Sequence, residues 1–112
     1  MLNNSQYGGF FVSKNVLNGV PIGYTFREES DLSPLNGWTI FSSQDDDDYV
    51  NDPRNFEIVS GQTMFSIAPV MEEIFETPYG TDLVWIYEEG VHIGFHDLTA
   101  GKEVTIEEIL GI

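Results

Sequence analysis

Two Asn-Gly dipeptides, Asn18-Gly19 and Asn36-Gly37, each stand directly ahead of a strand-like segment, and this pairing restricts the fold more than any other feature. Both residues of such a pair accept positive φ, so each dipeptide reads as a tight turn. After the first, Val20, Ile22, Tyr24 and Phe26 alternate with Pro21, Gly23, Thr25 and Arg27. That period of two belongs to a strand and sends the two sets to opposite faces. Pro21 at its start and Gly23 within it mark an edge or bulged strand. Residues 28–35 read as a loop, and residues 38–42 beyond the second turn as another strand. Gly9–Ser13 and Phe56–Val59 also have strand length, and residues 83–87 and 91–95 read as a hairpin across Glu88-Glu89-Gly90.

Helical signals are fewer and isolated. Ser60 is a candidate cap for a short helix across Met64, Phe65 and Ile67. Pro69 suits a first helical position, and Val70, Met71, Ile74 and Phe75 give residues 70–76 one apolar side. The Thr-Pro-Tyr-Gly sequence at 77–80 stops that helix. Residues 97–102 read as a turn. Thr105 and Glu108 have capping-box spacing for a terminal helix over Ile106–Leu110, with Gly111 as its stop. Strands outnumber helices without alternating with them. The expected class is therefore α+β: a single domain over residues 1–112, with a mainly antiparallel sheet and two or three short helices.

A core is affordable at this size. Chains above roughly 70–80 residues fold without staples, and the absence of cysteine removes any disulfide, thiolate nucleophile or cysteine-based zinc site. Nineteen acids against four bases give a formal net charge of −15, yet 41% hydrophobic residues argue for packing rather than disorder. Such a body repels itself and gains from a counterion or partner. Lys14, Arg27, Arg54 and Lys102 are too few and too scattered to neutralise phosphates, so neither nucleic acid nor an anionic membrane is an expected partner. A basic protein fits better, with ordinary solubility as the plain alternative. The first residues lack the basic and apolar regions of a secretory signal, and no apolar run reaches the roughly 18 residues of a membrane helix. A cytoplasmic location is the expectation, in agreement with the missing cysteines.

Candidate chemistry concentrates in one place. Asp45, Asp46, Asp47 and Asp48 run into Tyr49, with Asp52 and an aromatic residue on either flank. Clustered carboxylates invite a calcium reading, but an EF-hand loop opening at Asp45 needs Gly at position six and Glu at position twelve. Val50 and Phe56 stand there instead, so the motif fails. His92 and His96 lie on a strand, where a spacing of four puts them about 13 Å apart on one face, too far for one metal. The pairs Glu28-Glu29, Glu72-Glu73 and Glu107-Glu108 follow from composition and read as solvated faces. No Gly-x-Ser-x-Gly elbow or phosphate loop is present. Trp38 and Trp85 are core candidates, with Trp38 the more exposed of the two because it follows a turn.

Several blocks follow one another in order: Val12-Ser13-Lys14-Asn15-Val16-Leu17, Gly23-Tyr24-Thr25-Phe26-Arg27-Glu28-Glu29, Gly37-Trp38, Phe41-Ser42, the aspartate run into Tyr49, Asn51-Asp52-Pro53, Asn55-Phe56 and Thr77-Pro78-Tyr79-Gly80. Together, over residues 11–85, they resemble a small bacterial family once described only as a domain of unknown function and similar to immunity protein 33. The resemblance implies a cytoplasmic antidote of a polymorphic toxin system, and it brings no catalytic residues or cofactor. The expected function is a non-enzymatic acidic binding protein that masks a basic toxin domain. Trp38, Asp45, Asp46, Asp47, Asp48, Tyr49 and Asp52 are its candidate partner-binding residues. The alternative is a small enzyme or ligand-binding domain that holds a divalent cation in the acidic loop 45–52.

Overall fold

The computed structural model describes residues 8–29 and 35–110. In chain order these form β1 (Gly9–Ser13), α1 (Lys14–Leu17), β2 (Ile22–Arg27), β3 (Leu35–Ser42), α2 (Asp47–Val50), β4 (Phe56–Val59), α3 (Gly61–Ile67), α4 (Val70–Glu73), β5 (Asp82–Glu88), β6 (Val91–Asp97), β7 (Lys102–Val104) and α5 (Ile106–Leu110). The seven strands make one sheet in the order β4-β1-β3-β2-β5-β6-β7. Every pairing is antiparallel except β1 with β3. The fold is thus α+β, as the alternation and turn signals imply. The loop expected at 28–35 and the stop at Gly111 lie largely outside the described residues.

Five short helices are present among the described residues, more than expected, because caps rather than apolar faces fix the extra ones. Ser13 accepts from Asn15 N and opens α1, and Asp46 accepts from Tyr49 N and opens α2. Asn18-Gly19 turns the chain out of α1, with Gly19 at φ +101°. Asn36-Gly37 behaves differently from its expected turn: it lies inside β3. Gly37 adopts φ +92°, and its carbonyl accepts from Glu28 N at 3.0 Å. The β1–β3 register jumps there from Gly9↔Leu35 to Phe11↔Thr39, so the dipeptide makes a bulge. The expected turn at 97–102 closes onto a short seventh strand, and α4 ends at Glu73, before the expected 76.

One sheet face is covered. Phe10, Val12, Trp38, Ile40, Leu83, Trp85 and Phe95 pack against Met64 and Phe65 of α3, Met71 of α4, and Ile74. Burying a large apolar side chain contributes about 2 kcal/mol, so this layer supplies most of the folding drive. Trp38 is only 1% exposed and its Nε1–H donates to the Phe75 carbonyl at 3.1 Å. The expectation of partial exposure is corrected: because Gly37 bulges instead of turning, Trp38 is an interior strand residue. Trp85 donates to Thr25 Oγ1 at 3.2 Å, which satisfies both buried groups at once.

Arg27 closes the open side of this layer. Its Nη1 donates to the carbonyls of Phe75 and Thr77 at 2.8 and 2.9 Å, and its Nε to that of Asn36 at 3.2 Å. The guanidinium carbon sits 4.8 Å from the Tyr79 ring centre and 5.2 Å from that of Phe75. One of the few cations of a very acidic chain is thus held by carbonyls and rings.

Candidate functional site

The aspartate run divides by role. Asp45 Oδ2 accepts from Ser42 N at 2.8 Å, while Oδ1 accepts from Ser42 Oγ at 2.5 Å and Asn15 Nδ2 at 2.8 Å. Partial burial would raise this carboxyl, but the donors from Ser42 and Asn15 outweigh it and hold it below the usual carboxylate range. Asp46 caps α2. Asp52 caps the 3₁₀ turn at Pro53–Asn55 and pairs with Arg54 at 2.8 Å; that side-chain bond holds its carboxyl low. Asp47 and Asp48 remain as exposed carboxylates in the first turn of α2.

Tyr49 turns inward. Its hydroxyl lies 3.3 Å from both Asn15 N and the Asn55 carbonyl, and its ring stands 6.2 Å from that of Phe56. The run is therefore a stapled corner joining β3, α1 and β4, with two free carboxylates on its outer side. Among the described residues, no three His, Asp or Glu side chains converge as a metal-ligand set.

The histidines sit differently from expectation. In the β5–β6 register Ile86 faces Gly94 and Tyr87 faces His92, which leaves Ile93 as a bulge and shifts the side-chain parity. His92 therefore stacks on Trp85 at 4.4 Å and meets Phe95 edge-on at 4.7 Å, on the core side. Its Nε2 is buried without a hydrogen-bond partner, and burial lowers its pKa below the ordinary value. His96, next to Phe95, points the other way, so the pair does not share a face.

A third bulge creates the feature that sequence reasoning missed. Between Ile22 and Tyr24 the β2–β3 register slips by one residue at Gly23, whose Cβ position would lie 2.6 Å from Ser43 Cα. Ile22 and Thr25 consequently face the core, while Tyr24 and Phe26 face away from it; the uniform alternation from Val20 to Phe26 is broken. There they join Phe41, Phe11 and Phe56 in a chain of rings with centroids 4.7 to 5.7 Å apart. None of the five belongs to the core layer.

Phe11, Phe26, Phe41 and Phe56 floor a shallow groove of about 410 Å³, with Glu28 and Glu29 on its wall and Val50 of α2 on its rim; Tyr24 extends the chain of rings beyond it. Tyr24 donates to Asp82, and burial followed by that carboxylate pushes the hydroxyl well above its ordinary pKa, so it stays protonated. The groove thus offers aromatic faces and carboxylates, a combination suited to binding cations rather than to transferring protons or acyl groups. A signal was available in the sequence: Tyr24, Phe26 and Phe41 are too many rings for one face of a core that already holds Phe10, Trp38 and Trp85.

No described helix is long and apolar enough to cross a membrane. Neither a curated protein nor a solved structure gives a significant match to the chain. A family model described as the Immunity protein Imm33 domain matches residues 10–94, a span that contains the aspartate corner, all three bulges and the five clustered rings. By that match over most of its length, the chain belongs to the Immunity protein Imm33 domain family.

Proposed function

We propose that the protein is a non-enzymatic immunity factor that neutralises a toxin by binding a basic domain of it in the bacterial cytoplasm. The observation that carries this reading is the family match over residues 10–94 in a chain of net charge −15. A toxin domain that acts on nucleic acid or anionic substrates is itself cationic, and an acidic body is drawn to it over long range. On this reading the carboxylates of Asp47 and Asp48 steer the encounter. Asp45, Asp46, Tyr49 and Asp52 hold the corner that presents them, and the buried Trp38 supports the strand behind it. Neither nucleic acid nor a membrane enters the scheme.

The test is co-expression with the toxin domain encoded by the neighbouring reading frame. Growth should be restored by this chain, and the purified pair should form a stoichiometric complex. Asp47→Asn with Asp48→Asn should slow association at low salt by about threefold to tenfold, as removal of two exposed charges implies, and flatten its salt dependence. Failure of the wild-type chain to restore growth, or an association rate indifferent to salt, would overturn the reading.

A further inference from the structure

The five rings on the sheet face away from α3 and α4 need an explanation that the aspartate corner does not supply. Helices α3 and α4 pack on the opposite face, and α2 meets this one at its rim through Val50 and Tyr49. Phe11, Tyr24, Phe26 and Phe41 are each part-exposed and Phe56 beneath them is buried, and a contiguous part-exposed aromatic patch on a soluble protein marks a place where something docks. Carboxylates bracket this one. Glu28 and Glu29, both exposed, stand where β2 leaves the sheet, and α2 with Asp47 and Asp48 follows the far end of β3.

We infer that this aromatic face is the docking surface for the toxin, and that what it receives is an arginine-bearing segment; the inference rests on the immunity reading above. Arginine is singled out by chemistry. A guanidinium is planar and weakly hydrated, so it stacks on a ring while its fork engages a carboxylate at the edge. A lysine ammonium is compact and strongly hydrated, and forfeits the stacking. The chain already uses this chemistry on itself, with Arg27 stacked over Tyr79 and Phe75. A second copy of the chain is a poor occupant, because both partners would bring the same acidic rim and a net charge of −15. An anionic lipid surface meets the same repulsion.

The test titrates the ¹⁵N-labelled full chain with octa-arginine and octa-lysine peptides. Amide shifts should concentrate in β1, β2, β3 and β4 and at Glu28 and Glu29, with octa-lysine binding about fivefold more weakly. Glu28→Gln with Glu29→Gln should weaken octa-arginine by about tenfold at low salt. Phe26→Leu keeps the apolar volume and removes the π face; it should weaken octa-arginine about threefold and leave octa-lysine unchanged.

Equal affinity for the two peptides, or shifts confined to α2 or spread over every acidic surface, would overturn the inference. So would a concentration-dependent doubling of mass, which makes a second copy the occupant. The growth assay separates this failure from that of the immunity reading. If the wild-type chain restores growth and a variant carrying Phe26→Leu, Glu28→Gln and Glu29→Gln restores it equally, the face is wrong and the immunity role stands. If the wild-type chain restores nothing, the immunity role falls and the inference resting on it falls too, whatever the peptides report.

Discussion

Within the four-aspartate run, position decides what a substitution costs. Asp45→Asn preserves shape and one acceptor oxygen but turns the second into an amide that opposes the Ser42 N–H, now 2.8 Å from Oδ2. The charge-assisted bonds from Ser42 Oγ and Asn15 Nδ2 weaken at the same time. A hydrogen bond to a charged group contributes about 1.5 to 3 kcal/mol, and Asp45 is only half-buried, so the lower part of that range applies. The expected loss is about 2 kcal/mol. For 112 residues, with an unfolding entropy of about 2.1 cal/mol/K per residue, that lowers Tm by about 8 °C. Asp47→Asn and Asp48→Asn should stay within about 0.5 kcal/mol, since both are exposed at the first turn of α2. Urea unfolding at constant m-value measures all three. The pH dependence provides a second check. The folded Asp45 carboxyl lies below its ordinary value of 3.8, so its contribution is present above that pH and is lost as pH falls through the folded value. The gap between wild type and Asp45→Asn should therefore narrow as pH falls below 3.8. Equal midpoints for Asp45→Asn and Asp47→Asn, or a gap that persists in acid, would refute the assignment of Asp45 as the staple of this corner.

Three other outcomes follow from the same geometry. Gly37→Ala puts a Cβ 2.3 Å from the Glu28 carbonyl at φ +92°, and should cost more than about 2 kcal/mol in urea unfolding. Arg27→Met keeps the stem but leaves the carbonyls of Phe75 and Thr77 without the guanidinium; a loss of about 2 kcal/mol and faster amide exchange at 77–81 are expected, with Arg27→Lys recovering about half. His92 is held below its ordinary value of 6.5 by burial, against a smaller opposing hydrogen bond that its ring donates to the Gly94 backbone, so its contribution is present above pH 6.5 and lost as pH falls through the folded value. Wild type should thus lose Tm relative to His92→Gln as pH is lowered from 6.5, with the relief of carboxylate repulsion common to both and cancelling.

The strands were legible where a short apolar run has strand length, as in β1 and β5. Two kinds of feature were not. Single-turn helices such as α1 and α2 have no apolar face to detect; only their caps, Ser13 and Asp46, announce them. A β7 of Lys-Glu-Val carries no periodic signal at all. The bulges did more damage to the site. One extra residue at Gly23 and another at Ile93 each invert side-chain parity, which moved Tyr24 and Phe26 off the core face and brought His92 onto it. A glycine inside an alternating run hints at such a slip, but the direction of the slip depends on what the neighbouring strand brings opposite. Likewise the acidic character of residues 45–52 was readable, while the inward use of Asp45, Asp46 and Asp52 was not, because it requires Asn15, Ser42 and Arg54 at hydrogen-bond distance.

That inward use changes what the net charge means for binding. Asp45, Asp46, Asp52, Asp82, Asp97 and Glu108 each accept from nearby backbone or side-chain donors, so their charges serve the fold first. Glu72 and Glu73 lie on α4, across the sheet from the aromatic groove. The domain is 25 Å through its thinnest direction, and the screening length at physiological salt is about 8 Å, so carboxylates on the far side contribute little to a partner at the groove. Among the described residues, Glu28, Glu29, Asp47 and Asp48 are exposed carboxylates beside the groove, and they contribute to the field such a partner meets at close range. On the proposed reading, affinity then depends on the rings between these four side chains, while the remaining charge keeps the chain soluble and repels copies of itself. A homologous surface rich in acid but lacking the rings would attract a basic toxin and fail to hold it.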